Sequence, residues 1–132
     1  TNFLVAWEDL RSGLQDIYAA RVSSAGANLD PAGIPIAQQA SSQSLPAVAW
    51  GGSSYLVAWQ DDRNAGTTGY DIYAARVSPA GTNLDPAGVL VSQGASDRQM
   101  LFQPLFVGSL FILSSQKLDA CQNAHLVLHD CS

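Results

Sequence analysis

Several segments of this chain occur twice, in the same order and at almost the same spacing. Residues 16–23 return unchanged as residues 71–78, and residues 28–33 return unchanged as residues 83–88. A tandem repeat of this kind predicts one supersecondary unit that is copied along the chain, with each copy burying a face of its neighbour. The repeat therefore constrains the architecture strongly, but it indicates no reaction.

Four short strands are predicted in the second copy, which spans residues 42–98. They are Ser44–Trp50, Tyr55–Trp59, Tyr70–Ser78 and Val89–Ser92, and turn-forming residues separate them. The segment Tyr55–Trp59 is apolar on both faces, which indicates a strand that is buried on both sides. Since no segment combines a helical period with helix caps, we expect an all-β fold of tandem, four-stranded antiparallel units.

The copies divide the chain into two parts. Residues 1–98 hold two blade-like repeats, of which the first (about 2–41) is truncated and the second (42–98) is complete. In residues 99–132 only fragments of the pattern return, and the Trp-x-Asp-x-Arg motif of the two copies is missing. We interpret this last part as a degenerate third repeat or as a capping tail.

The composition narrows the range of locations and partners. Only 13% of the residues are charged, which is typical of secreted or surface β proteins, so we expect an extracellular or cell-surface location. With a net charge of −5 and six Lys and Arg residues, nucleic acid is excluded as a partner, because that affinity comes from cations at the phosphates. The longest apolar stretch, Met100–Leu113, is interrupted by Gln103 and Pro104. It is shorter than the roughly 20 residues of a membrane-spanning helix, so no membrane insertion is expected.

The units resemble the blades of β-propellers, which also place four short strands in roughly fifty residues. The likeness lies in Tyr55–Arg63, Asp71–Gly81 and Leu84–Gly88, which are similar to repeats of large secreted bacterial proteins of propeller type. It covers residues 2 to about 115 and implies β-propeller-like blades without implying an activity. The Ser-x-Asp-x-Gly-x-x-Trp pattern of sialidases and the Gly-His and Trp-Asp marks of WD blades are absent.

A complete propeller needs more blades than this chain contains. Propellers close with about four to eight blades, whereas the chain supplies about two and a half. Three alternatives follow: a piece of a longer protein, an assembly of copies into a ring or filament, or a small open stack with the tail covering one side. The chain begins at Thr1 and shows no signal peptide, which favours a processed chain or a fragment.

One motif, Trp-x-Asp-x-Arg, occurs in both copies and is the candidate ligand-binding site. Its residues are Trp7, Asp9 and Arg11 in the first copy, and Trp59, Asp61 and Arg63 in the second. Aromatic faces beside Asp and Arg suit sugar rings, so the motif is a candidate for one glycan site per repeat. The favoured interpretation is structural: the Trp fills the core between blades, while the Asp and Arg tie the following loop to the next strand.

Arg21 and Arg76 lie within apolar strands, where an arginine needs a carboxylate partner. In each copy an aspartate, Asp16 or Asp71, precedes the arginine by five residues. We therefore predict that Asp16 pairs with Arg21 and Asp71 with Arg76, within or between blades, in preference to a ligand-binding arginine.

The carboxylates at Asp30, Asp61, Asp62 and Asp85 raise the question of calcium, which takes about six to eight oxygen ligands. No Asp-x-Asp-x-Asp-Gly loop is present. The repeated Leu-Asp-Pro-Ala-Gly is better explained as a turn whose Asp accepts backbone hydrogen bonds. We expect no cofactor, with calcium as the minor alternative.

Cys121 and Cys131 are the two cysteines of the chain, and a disulfide between them is the favoured interpretation. With His125 and His129 they match zinc ligands by type, but their spacing fits no usual zinc motif. Nucleophilic catalysis has no support, because no Gly-x-Ser-x-Gly occurs and both histidines lie where no repeat can be aligned. No catalytic residue is predicted.

These observations favour a non-catalytic extracellular repeat protein, a scaffold that mediates protein interaction or self-assembly. Its expected partners are copies of itself or a larger propeller. The alternative is a lectin-like carbohydrate-binding module that uses the Trp-x-Asp-x-Arg residues. A fragment of a secreted hydrolase, with its catalytic residues outside this chain, is the third interpretation.

Overall fold

Every element that the computed structural model describes is a β-strand. The structure describes residues 2–93 and, further along, the backbone of two short strands, Leu105–Val107 and Leu110–Ile112. No helix occurs in these residues, so the all-β prediction is confirmed for this part of the chain. The predicted disulfide between Cys121 and Cys131 lies outside the described residues, as does most of the predicted third repeat or capping tail.

The strands form two antiparallel sheets and one hairpin. The three-stranded sheet has the order β1-β2-β3, with β1 (Phe3–Asp9), β2 (Asp16–Val22) and β3 (Ile34–Ala37). The four-stranded sheet has the order β4-β5-β6-β7, with β4 (Gln43–Trp50), β5 (Tyr55–Asp61), β6 (Asp71–Val77) and β7 (Val89–Ser92). The hairpin pairs β8 (Leu105–Val107) with β9 (Leu110–Ile112). Strands that follow each other in sequence are neighbours, so each sheet is a meander.

The strands predicted for the second copy are found at their predicted positions. The bounds of β4 to β7 differ from the predicted ones by at most two residues. Val57 and Ala58 point to opposite faces of β5, and they are 0% and 2% exposed. The prediction that this strand is buried on both sides is therefore confirmed.

The two sheets pair their long strands in the same register. At one end an aromatic residue lies opposite a valine, and at the other end two aspartates lie opposite each other. These pairs are Phe3↔Val22 and Asp9↔Asp16 in the first sheet, and Tyr55↔Val77 and Asp61↔Asp71 in the second. A bulge interrupts the next pairing at Ile17/Tyr18 and again at Ile72/Tyr73. Since a shift of one residue would turn every side chain to the other face, equal registers mean that equivalent residues face the same way.

β4 is the one strand of the second sheet without a counterpart in the first. It pairs with β5 from Gln43↔Asp61 to Trp50↔Tyr55. Within the described residues, the corresponding side of β1 carries no strand. A strand edge of this kind presents unpaired backbone N–H and C=O groups to its surroundings.

The hydrophobic core lies between the two sheets. The second sheet contributes six apolar residues from one face, namely Tyr55, Val57, Trp59, Tyr73, Ala75 and Val77. The first sheet completes the same cluster with Ile17, Ala19, Ile36 and Ala37. Burying one large apolar side chain contributes roughly 1.5–3 kcal/mol, so this contact is the main source of the stability that joins the copies.

Polar contacts at the margin of the core add to this packing. The backbone N–H of Leu45 donates to Glu8 Oε1 at 2.8 Å, and the Tyr55 hydroxyl donates to the carbonyl of Asn2. The two sheets thus stack face to face. Within the described residues they do not close a ring, so the β-propeller architecture stays a prediction.

Candidate functional site

The Trp-x-Asp-x-Arg motif of the second copy folds into one group at the end of β5, the second Trp-Asp-Arg cluster (Trp59, Asp61 and Arg63). The indole N–H of Trp59 donates to Asp61 Oδ2 at 3.0 Å. Arg63 donates to Asp61 Oδ1 from its backbone N–H at 3.0 Å and from Nε at 2.8 Å. Its Nη2 donates to Asp61 Oδ2 at 2.6 Å. Both carboxylate oxygens are occupied, and the guanidinium binds them in the bidentate geometry that makes such pairs strong.

Aromatic rings are layered beneath the guanidinium of this cluster. Arg63 Cζ lies 3.8 Å from the centroid of the Tyr73 ring, a distance at which cation–π attraction is effective. Tyr73 is in turn stacked on Trp59, with ring centroids 6.4 Å apart. The motif alone does not reveal Tyr73 as a member of the cluster. The sequence feature that could have identified Tyr73 is its position in residues 71–78, which repeat residues 16–23 unchanged.

The same cluster holds the turn that precedes β7. Arg63 Nη1 donates to the carbonyl of Ala87 at 3.2 Å. Gly88 has a φ of +73°, a conformation that favours glycine, and a Cβ there would lie 3.0 Å from the Trp59 ring. The motif was predicted to tie its loop to the next strand, and Arg63 does cover Tyr73 of β6. It also ties the end of β5 to the turn that follows β6.

The first copy forms the equivalent group, the first Trp-Asp-Arg cluster (Trp7, Asp9 and Arg11). The Trp7 indole donates to Asp9 Oδ2 at 3.0 Å. Arg11 donates to the same carboxylate from Nε at 2.8 Å and from Nη2 at 2.7 Å. Its Nη1 donates to the carbonyl of Ala32 at 2.8 Å, and its guanidinium lies 4.1 Å from the Tyr18 ring centroid.

The two clusters differ in their exposure to solvent. The side chains of Asp61 and Arg63 are 0% and 22% exposed, whereas those of Asp9 and Arg11 are 12% and 48% exposed. Burial acts to raise the pKa of Asp61, but the hydrogen bonds from Arg63 and from the Trp59 indole outweigh burial and lower that pKa. The hydrogen bonds from Arg11 hold the pKa of Asp9 well below its usual range. Both carboxylates are therefore charged at neutral pH.

A second kind of Asp–Arg pair also occurs once in each copy. Arg21 donates to Asp30 from Nε at 2.8 Å and from Nη2 at 2.7 Å, and Arg76 donates to Asp85 at 2.8 and 2.9 Å. In both pairs the aspartate also accepts the arginine's backbone N–H at 2.9 Å. The prediction that the turn aspartate accepts a backbone hydrogen bond is confirmed. The hydrogen bonds from Arg21 lower the pKa of Asp30, and those from Arg76 lower the pKa of Asp85 to about 2.

These contacts correct the predicted partners of the two strand arginines. Arg21 and Arg76 do not pair with Asp16 and Asp71, so that prediction is wrong. Residues five positions apart in a strand point to opposite faces of the sheet. The Leu-Asp-Pro-Ala-Gly turn, in contrast, folds its own aspartate back over the arginine.

Asp16 and Asp71 are instead buried where β2 and β6 begin, at 2% and 0% exposure. Asp71 Oδ2 accepts hydrogen bonds from Asn64 Nδ2 at 2.9 Å and from Thr68 Oγ1 at 3.1 Å. Within the part of the chain that the structure describes, Asp71 Oδ1 and Asp16 Oδ2 are buried without a hydrogen-bond partner. Carboxylate oxygens are ligands that calcium accepts. In the same residues, however, no group of three or more His, Cys, Asp or Glu side chains is placed to hold a metal ion.

An open cleft of about 330 Å³ lies where the first sheet meets the second. Its walls include Phe3 and Leu4 of β1, Val48 and Trp50 of β4, and Tyr55 of β5. Trp50 and Tyr55 meet there with ring centroids 4.8 Å apart. The cleft could not be found from the sequence, because its aromatic residues come from different copies and share no motif.

Comparisons with known proteins place the chain in no family. No protein-family model, no curated protein and no solved structure matches it. Among the described residues, no helix is long and apolar enough to cross a membrane. The function has to be argued from the geometry of the chain itself.

Arg63→Ala should destabilise the protein by about 3 kcal/mol, because it leaves the buried Asp61 carboxylate without its cation. Arg11→Ala is the matched variant in the first cluster, where the arginine is 48% exposed. It should cost clearly less, because exposed ion pairs contribute little to stability. Urea denaturation of both variants measures the difference. Equal losses would contradict the dependence of the second sheet on a buried charge.

The stability of the protein should fall in acid, in the range set by the lowered pKa values. An aspartate with a pKa of about 3.9 in the unfolded chain and a lower one in the folded chain stabilises the fold above that pH. Its contribution is lost as the pH falls through the folded value, which for Asp85 is about 2. The thermal midpoint, measured by circular dichroism, should therefore drop between about pH 4 and about pH 2. Asp85→Asn should drop less steeply, and an unchanged slope would contradict the pairing with Arg76.

Proposed function

We propose that this chain is a non-catalytic scaffold, extracellular or at the cell surface, whose sheets stack on one another and on those of further copies. The main support for this proposal is that most of its arginine side chains are bound within the chain. Four of the six Lys and Arg residues are bound to aspartates within their own copy. The repeated motifs serve to build the sheets, and they engage most of the cations that the chain contains.

The exposed apolar side chains support an interaction function. Phe3, Val5 and Val89 are large hydrophobic residues that are 64%, 51% and 53% exposed. Exposed apolar patches mark interaction surfaces, and the open edge of β1 is suited to pairing with a further strand. Such surfaces favour protein interaction or self-assembly over catalysis.

The proposed architecture of the assembled object is a β-propeller or a related ring or filament. Its support is the face-to-face packing of two antiparallel sheets with equal registers. Contacts that repeat with the same rotation close a ring or grow a filament, depending on the angle between successive units. The extracellular location rests on the low fraction of charged residues, 13%.

Self-assembly should appear as a mass above that of one chain, 13.9 kDa, that rises with protein concentration. Sedimentation velocity and light scattering on a sizing column measure it. Because the exposed surfaces are apolar, sulfate should strengthen the association, whereas an association held by ion pairs would weaken as salt screens the charges. A mass of one chain at every concentration would rule out self-assembly.

Carbohydrate binding is the second candidate, and the aromatic cleft is the observation that favours it. Phe3, Trp50 and Tyr55 present aromatic rings in a cleft that is open to solvent, and such rings stack on the apolar faces of sugars. The polar groups of the Trp-Asp-Arg clusters bind each other, so the cleft is the better placed site for a sugar ring.

Phe3→Ala should abolish glycan binding at the cleft without lowering the thermal midpoint, because Phe3 is 64% exposed. Leu45→Ala removes a side chain that is 50% exposed outside the cleft walls and serves as the control. Binding is measured by titrating a glycan panel and following tryptophan fluorescence, to which Trp50 contributes as one of the three tryptophans. The carbohydrate proposal fails if the wild-type chain binds no glycan, or if Phe3→Ala binds as well as the wild type.

A further inference from the structure

β1 lies at the edge of the first sheet, whereas its counterpart β5 lies in the interior of the second. β5 pairs with β6 on one side and with β4 on the other. β1 pairs with β2 in the register that β5 adopts with β6, and among the described residues no strand lies on its other side. In this part of the chain, the first sheet therefore lacks the strand that β4 supplies to the second.

The backbone groups of β1 that face the open edge follow from those of β5 that face β4. In the turn between β4 and β5, the Ser54 carbonyl accepts a backbone hydrogen bond at 2.8 Å from the β4 side. Because alternate residues of an antiparallel strand direct their N–H and C=O groups to the same neighbour, Leu56 and Ala58 also bond toward β4. Their counterparts in the equal register, Leu4 and Ala6, direct these groups to the open edge.

β1 also lacks the features that protect the outer strand of the second sheet. β4 contains Pro46, has Leu45 at a φ of +53°, and has a bulge between Ser44 and Ala47 in its pairing with β5. Prolines and bulges of this kind keep a sheet edge from taking up further strands. β1 contains no proline, lysine or glycine, and its seven residues pair with β2 without a shift in register. Its edge is therefore regular and unprotected.

The apolar side chains beside this edge are exposed, whereas the equivalent side chains beside β4 are covered. Phe3 and Val5 of β1 are 64% and 51% exposed, but Tyr55 and Val57 of β5 are 5% and 0% exposed. β4 contributes to this cover, since its Trp50 packs on Tyr55 with ring centroids 4.8 Å apart. A strand beside β1 would remove apolar surface of Phe3 and Val5 from water, which favours its binding.

We propose that the open edge of β1 binds a strand of the β4 type, supplied by another polypeptide, as an antiparallel neighbour. A strand of the β4 type has the pattern of Ala47 to Trp50, in which small residues alternate with large apolar ones. The occupant is inferred from β4 itself, because β4 is the strand that pairs with the equivalent edge of β5. The inference rests on the proposed scaffold function and specifies the surface and the partner through which it works.

The pairing between β4 and β5 sets the register of the added strand. Val48 and Trp50 of β4 lie opposite the β5 residues that are equivalent to Val5 and Phe3. The valine and the tryptophan of the added strand should therefore lie opposite Val5 and Phe3, with the alanine between them opposite Leu4. Backbone hydrogen bonds to the edge provide affinity in this mode of recognition, and the alternate side chains provide specificity.

A peptide with the sequence of β4, Gln43–Trp50, is the probe for this edge. It carries a fluorescent dye at its N-terminus and an amide at its C-terminus. The peptide is titrated with the whole chain at concentrations at which sedimentation velocity shows the chain to be monomeric. Fluorescence anisotropy should show saturable binding of one peptide to each chain.

Two N-methylated versions of the peptide test the backbone hydrogen bonds. The N–H at the Ala49 position faces the edge of β1, whereas the N–H at the Val48 position points away from it. Methylation at Ala49 should weaken binding at least about tenfold, because a hydrogen bond is lost and a methyl group lies against the edge. Methylation at Val48 is the matched control and should leave the affinity within about threefold.

Amide hydrogen exchange, followed by NMR, locates the bound peptide on the chain. The amides of Leu4 and Ala6 face the open edge, so saturating peptide should slow their exchange at least about tenfold. The amide of Val5 faces β2 and should change little, so it serves as the internal control.

The outcomes separate the edge from the scaffold function. Binding at the β1 edge is overturned if the peptide does not bind, or if methylation at the Ala49 position leaves the affinity unchanged. It is also overturned if the Leu4 and Ala6 amides exchange as fast with the peptide as without it. In each of these cases the mass of the chain at rising concentration still decides self-assembly. Conversely, a chain that binds the peptide but stays monomeric retains the strand site and loses self-assembly.

Discussion

The buried carboxylate of Asp61 is the constraint around which the second sheet is organised. A charge without solvent is tolerated only when it is paired and fully hydrogen-bonded, and Trp59 and Arg63 meet both conditions. Once Arg63 is held by that carboxylate, its remaining donor fixes the turn at Ala87 and its plane covers the Tyr73 ring. One ion pair thus connects the end of β5, the loop behind it, the face of β6 and the turn before β7.

The first copy shows that the same residues do not contribute the same stability to the fold when their environment is more exposed. Its cluster keeps the hydrogen-bond geometry of the second, yet Arg11 is 48% exposed where Arg63 is 22% exposed. The reason is the stack: Val57 is fully buried because a sheet lies against it, while Val5 at the matching position is 51% exposed. Burial in a repeat protein comes from the neighbouring unit, so the outer faces of the stack are where a partner gains the most.

The local alternation of apolar and polar residues predicted where the strands lie and which of their faces are buried. Alternation and turn chemistry placed β4 to β7 to within two residues, because the side-chain period of a strand is a local property. The partners of Arg21 and Arg76 were predicted wrongly, since the choice between two aspartates depends on how a turn folds back over the strand. Tyr73 and the aromatic cleft were missed for a related reason. Their contacts join residues that are distant in sequence and carry no shared spacing.

By itself the sequence determined the all-β character, the repeat unit, and the pairing of Trp, Asp and Arg within a few residues, because these depend on alternation and on side chains two positions apart. Only the tertiary structure decided which carboxylate each strand arginine binds and which carboxylates lie out of reach of solvent. It also decided that Phe3 and Val5 of the first sheet stay exposed while their counterparts in the second sheet are buried. Those properties depend on how one sheet packs against another. The hydrophobic pattern of one sheet does not say which surface of another sheet will cover it.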